Sequence, residues 1–176
     1  MFERLTRGGR QVIPGFFLML SLVAATACTT TPSAVPLVPS YDSKDAAVVA
    51  FLQALAARDA ETLSQQVVNE TEFLKHIWPA LPASRPDVGM PADRAWAEQA
   101  QRNATFLAQT LAQHGGRRYE LVAASFGGAA TTYGRFTIHP EATLDVRDAG
   151  GVREVRLFGS MIESGGRWKI YSFVVD

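Results

Sequence analysis

The sequence predicts an α+β domain in which helices come first and an antiparallel sheet follows. Three observations predict it. Apolar residues recur at helical spacing between Ser43 and His114. After Gly116 the spacing changes to alternation, the period of a strand. The strand-like segments are joined by short glycine-containing turns, and a parallel crossover needs about a dozen residues or more, so the pairing must be antiparallel.

The first helix follows from Val48, Phe51, Leu52 and Leu55, which fall at i, i+3, i+4 and i+7 and make one apolar stripe. Ser43 is its N-cap and Asp45 sits in its first turn. Asp59 caps a second, short helix through Leu63 and Val67. A third short piece runs from Glu72 to Trp78 and stops at Pro79. Pro79, Pro82, Pro86 and Pro91 with Gly89 make 79–91 an irregular loop. A long helix then runs from Pro91 to His114, ended by Gly115 and Gly116. Its buried stripe is Trp96, Ala100, Asn103, Leu107 and Leu111, with Phe106 beside it.

Strands are expected over 118–126, 132–139, 142–148, 152–163 and 167–175. In 152–163, Val155, Leu157, Gly159 and Met161 alternate with Glu154, Arg156, Phe158, Ser160 and Ile162, as on two faces of one strand. Asp148-Ala149-Gly150-Gly151 and Ser164-Gly165-Gly166 are hairpin connections. No internal repeat is visible.

The N-terminus is organised differently. Arg4, Arg7 and Arg10 precede an apolar run from Phe16 to Ala25, and small residues then lead to Cys28, the only cysteine. A basic region, a short apolar run and a small-residue site make a secretory signal over 1–27. The run falls well short of the ~20 residues a permanent spanning helix needs. Ala25-Thr26-Ala27 fits ordinary signal peptidase, whereas Ala25-Thr26-Ala27-Cys28 resembles a bacterial lipobox, with Ala25 where leucine is usual. The second reading implies that Cys28 carries lipid and attaches the chain to a membrane. Thr29 rather than Asp after it resembles the outer-membrane sorting pattern, with the domain in the periplasm. Residues 28–42, rich in Thr, Pro and Ser, read as the lipidated cysteine and a flexible tether, and 43–176 as the domain.

Composition narrows the function. The whole chain balances 17 bases against 17 acids. Removing 1–27 takes away three bases and one acid and leaves 14 against 16, so a nucleic-acid partner is not expected. One cysteine excludes an intramolecular disulfide and a cysteine-rich zinc site.

Two segments carry a family resemblance: Ala47–Leu63 (AVVAFLQALAARDAETL) and Gly165–Val174 (GGRWKIYSFV). They resemble the opening helix pair and closing strand of the nuclear-transport-factor-2-like superfamily, which includes the SnoaL-like cyclases and ketosteroid isomerase. The resemblance implies a strongly bent antiparallel sheet wrapped on helices as a cone, an apolar pocket, and often a homodimer formed through the sheet. It extends over about residues 43–176, and no motif in it matches a catalytic signature.

Candidate chemistry is sparse. His76, His114 and His139 show no metal-binding spacing, and neither a metal nor a cofactor is expected. His114 suits a helix C-terminus, and His139 reads as a solvated strand-end residue. An acid–base pair for an isomerase, dehydratase or cyclase would have to come from Asp145, Glu154, Glu120 or Tyr133. The residues favour binding of a small apolar ligand or an envelope protein over catalysis. The expected pocket set is His76, Trp78, Trp96, Tyr133 and Phe158, with Trp78 nearest a cavity mouth and core packing the competing role for Trp96 and Trp168.

Overall fold

A computed structural model describes residues 33–175. The signal expected over 1–27, Cys28 and residues 29–32 lie outside the described residues. Helix α1 (Lys44–Ala57) is capped by Ser43 Oγ, which accepts from the Ala46 amide, and buries Val48, Phe51, Leu52 and Leu55. Helix α2 (Ala60–Gln65) starts at Asp59, whose carboxylate accepts from the Thr62 amide. Helix α3 (Glu70–Glu72) opens with a capping box between Asn69 and Glu72. It continues as a π turn (Phe73–Ile77) and two 3-10 turns (Trp78–Ala80 and Pro82–Ser84). Helix α4 (Ala92–His114) is the long one.

The strands are β1 (Glu120–Phe126), β2 (Thr131–Tyr133), β3 (Phe136–Pro140), β4 (Ala142–Asp148), β5 (Gly151–Val155), β6 (Ser160–Ser164) and β7 (Arg167–Ser172). All named pairs are antiparallel. The domain is therefore α+β, as the spacing predicts, but with two sheets rather than one: β1-β4-β5 and β2-β3-β6-β7. The division has a local cause. Glu141 takes a positive φ of 54° between β3 and β4, and residues 156–159 separate β5 from β6. Ala142 N–H donates to the Gly159 carbonyl at 2.9 Å, and Gly159 N–H to the Ser172 carbonyl at 2.9 Å, so the backbone stays paired across this corner.

The corner also corrects the reading of 152–163 as one alternating strand. Leu157 and Phe158 are consecutive and both fully buried, because the chain turns inward as it passes between sheets. Gly159 is required there, since a Cβ would overlap the carbonyl of Val174.

One core lies between α1 and the sheets, around Phe51, Leu55, Leu144, Leu157, Phe158, Met161 and Phe173. A second lies across the other face of the four-stranded sheet, around Leu37, Phe73, Ile77, Trp78, Phe136 and Ile162.

The expected flexible tether is corrected over 33–42. Val35 and Leu37 are buried in the second core, Tyr41 bridges Trp168, and Arg167 reaches Asp42 and Ser40. Alternation in this proline-rich segment gives it an inward apolar face that composition alone hides. It is clasped by Lys169, fully buried on β7, whose Nζ donates to Glu72 Oε1 at 3.0 Å, Glu72 Oε2 at 2.9 Å and the Val38 carbonyl at 2.6 Å. Glu72 in turn accepts from the Val38 and Asn69 amides.

Candidate functional site

The five residues expected to line a pocket do not converge. Phe158 is 1% exposed and packs edge-on against Phe51 at 5.3 Å, inside the first core. Trp78 is 8% exposed and lies on Phe73 at 5.7 Å, inside the second core rather than at a mouth. Tyr133 is half-buried against Phe136. His76 is half-buried on the π turn, and its side chain makes no hydrogen bond among the described residues. Trp96 alone reaches an open groove: it touches Phe73 at 5.5 Å on one side and lines the groove on the other.

That groove, about 460 Å³, runs between α4 and the segment from α2 to the start of α3. Trp96, Leu107 and Leu111 wall it on α4, Val67 and Val68 face them, and Phe173 contributes from the C-terminal end. The groove exists because α4 places Ala100, Ala104 and Ala108 at four-residue spacing along it. Small side chains in that row leave space that Leu or Phe would fill.

Ser64, Asn69 and Glu70 are exposed polar members of the lining, and one buried polar side chain interrupts its apolar part. Asn103 is 5% exposed, and its Oδ1 accepts from the Phe173 amide at 2.9 Å and the Ser172 hydroxyl at 3.3 Å. Its Nδ2 takes no acceptor among the described residues. The sequence carries the signal, a polar residue in an apolar helical stripe, but without a tertiary partner that signal reads as ordinary packing.

The histidines have other roles. His139, expected to be solvated, is half-buried instead: its ring lies 4.7 Å from Trp168 and 5.0 Å from Phe126, and Nε2 is 3.3 Å from Glu163 Oε2. His114 Nδ1 lies 2.9 Å from the Tyr119 hydroxyl, which accepts from Arg153 at 2.9 Å. Tyr119 thus links the His114 ring to the Arg153 guanidinium. Burial first, then Arg117 and Arg153, hold His114 below the ordinary histidine range.

The carboxylates considered for acid–base work are spread over the three-stranded sheet. Glu120 pairs with Arg147 on the surface, and Asp145 sits opposite exposed Glu154. A further cleft of about 600 Å³ includes Arg102, Arg156 and Glu141, a charged surface rather than an apolar one.

Comparison with known proteins finds no matching family model, curated protein or solved structure. Among the described residues no helix is long and apolar enough to cross a membrane, and no cluster of His, Cys, Asp and Glu could hold a metal ion.

Proposed function

We propose that this chain is a lipid-anchored protein of a bacterial cell envelope, nuclear-transport-factor-2-like in fold, whose domain holds a small apolar ligand without catalysing its conversion. The observation that carries the ligand reading is the apolar groove on α4 with Asn103 in it. Its volume falls in the range of roughly 300–1,000 Å³ common to small-molecule sites, which pair apolar walls with a few placed polar groups. Among the described residues the only ionisable group in the lining is Glu70, which is exposed.

The order of elements, helices before an antiparallel array with a sharp corner, supports the superfamily reading. The signal pattern ending at Cys28 supports the anchor, with the domain facing the periplasm from the outer membrane. Packing of residues 33–42 bears on that anchor. Five peptide units separate Cys28 from Ser33, a reach of at most about 18 Å, so a lipidated Cys28 would keep the domain close to the bilayer.

Two variants test the two halves separately. Cys28→Ser should abolish incorporation of an alkyne-tagged fatty acid and release the chain from the membrane fraction. Unchanged fractionation refutes the anchor. Ala104→Trp, at an exposed helix position facing the groove, should block binding of apolar probes while leaving the fold intact. Undiminished binding refutes the groove as the site.

A further inference from the structure

We propose that the groove selects an elongated, uncharged amphiphile carrying a carbonyl or ester oxygen, in preference to the corresponding carboxylic acid. This inference rests on the reading of the groove as a ligand site and adds the chemistry of its ligand.

The first ground is the orientation of Asn103. Its Oδ1 is held by the Phe173 amide and the Ser172 hydroxyl. Turning the amide over would set N–H against N–H at Phe173, so Oδ1 must face Phe173 and Nδ2 the groove. Asn103 lines the groove and presents there a donor with no acceptor among the described residues. Solvent reaches Nδ2, which is not among the fully buried unpartnered atoms, so an incoming oxygen lone pair takes the place of water there.

The second ground is charge. Among the described residues no lysine, arginine or histidine lines the groove, and the only formal charge in the lining is the carboxylate of Glu70. A carboxylate ligand would lose hydration with no cation to offset the loss, and would meet a like charge in the lining. A neutral carbonyl or ester oxygen accepts the same hydrogen bond from Nδ2 without either penalty.

The third ground is shape. Trp96 and Leu111 mark the ends of the groove on α4, and fifteen residues of helix span about 22 Å. With Ala100, Ala104 and Ala108 between them, the space is long and narrow, which suits an extended chain.

The test uses the full-length chain in the membranes of the cells that express it. A diazirine-bearing palmitate methyl ester and the free acid with the same diazirine are photolysed separately at pH 8.5. Labelled peptides covering 60–70 and 96–111 are then quantified by mass spectrometry. The ester should label these peptides about tenfold more than the acid, because only the acid brings an uncompensated charge into the apolar lining. Asn103→Asp keeps an oxygen for Phe173 and Ser172 but removes the donor, so ester labelling should fall about tenfold while slow exchange of the Phe173 amide persists. Equal labelling by ester and acid in the parent chain, or ester labelling undiminished in Asn103→Asp, overturns the selectivity and leaves the groove as a site. No groove labelling by either probe overturns both readings. A dimer that Ala104→Trp dissociates would show a second copy in the groove and likewise overturn both.

Discussion

Replacing Lys169 by methionine should destabilise the domain far more than a surface lysine change, because it strands a buried carboxylate. Lys169 is 0% and Glu72 3% exposed, and each N–H of the ammonium has its own acceptor. In Lys169→Met, Glu72 keeps the Val38 amide at 2.6 Å and the Asn69 amide at 2.9 Å but loses the one cation paired with it among the described residues. Breaking a buried pair from one side costs about 3–5 kcal/mol. At about 2–4 °C per kcal/mol for a chain of this size, Tm should fall by roughly 10 °C. Burial also pushes Lys169 below the ordinary lysine range, with Glu72 pulling the other way, so desolvation outweighs the attraction between the pair. It follows that removing both charges should be mild. Lys169→Met combined with Glu72→Gln should return to within about 1–2 kcal/mol of the parent. Thermal melts give the stabilities, and amide exchange at Val35 and Val38 reports whether the segment has come loose. A single variant costing under about 1 kcal/mol, or a double variant as damaged as the single, would refute the argument.

Gly159→Ala should cost about 3 kcal/mol in a denaturant melt, because a Cβ there overlaps the Val174 carbonyl and must displace the C-terminal residues from the corner. A neutral result would mean that the corner does not depend on this close approach. His114 sets part of the acid limit. Its folded value lies below its ordinary 6.5, so the unfolded chain takes up a proton first as pH falls. That contribution to stability is full above about pH 6.5 and declines through the window below it. His114→Gln should flatten this part of the stability–pH curve, and an imidazole resonance titrating at or above 6.5 would contradict the assignment.

Much of the architecture was legible because it is written in short-range spacing. The stripe Val48-Phe51-Leu52-Leu55 and the caps Ser43 and Asp59 define α1 and α2 without reference to anything distant. What was not legible depends on what covers each face. Lys169, between Trp168 and Ile170, alternates as an outward residue on a one-sided sheet would. It is buried because residues 33–42 and the turns after α3 cover that second face. The same covering hid Trp78 and brought Val35 and Leu37 inside. Local alternation around 152–163 is satisfied on both sides of the corner, so nothing in its spacing marks where the chain changes sheet. His139 misled for a related reason: its ring is covered by Phe126 and Trp168, which are distant in sequence.

The proposed groove lies outside the core for the same physical reason. Phe51, Phe158 and Phe173 occupy the space between α1 and the sheets, and opening a cavity there would forfeit about 3–5 kcal/mol for each ring removed. The groove requires no such loss, because alanines on α4 leave it open while the large residues of the same helix pack elsewhere. Asn103 joins the two regions. It holds the Phe173 backbone with one end of its amide, and Phe173 both fills the core and contributes to the groove. An acceptor placed on Nδ2 polarises the amide and strengthens the bond that Oδ1 accepts. Ligand binding should therefore slow exchange of the Phe173 amide in the parent chain and leave it unchanged in Asn103→Asp. Slowing of equal size in both would show that the ligand acts through burial of Phe173 and not through the amide.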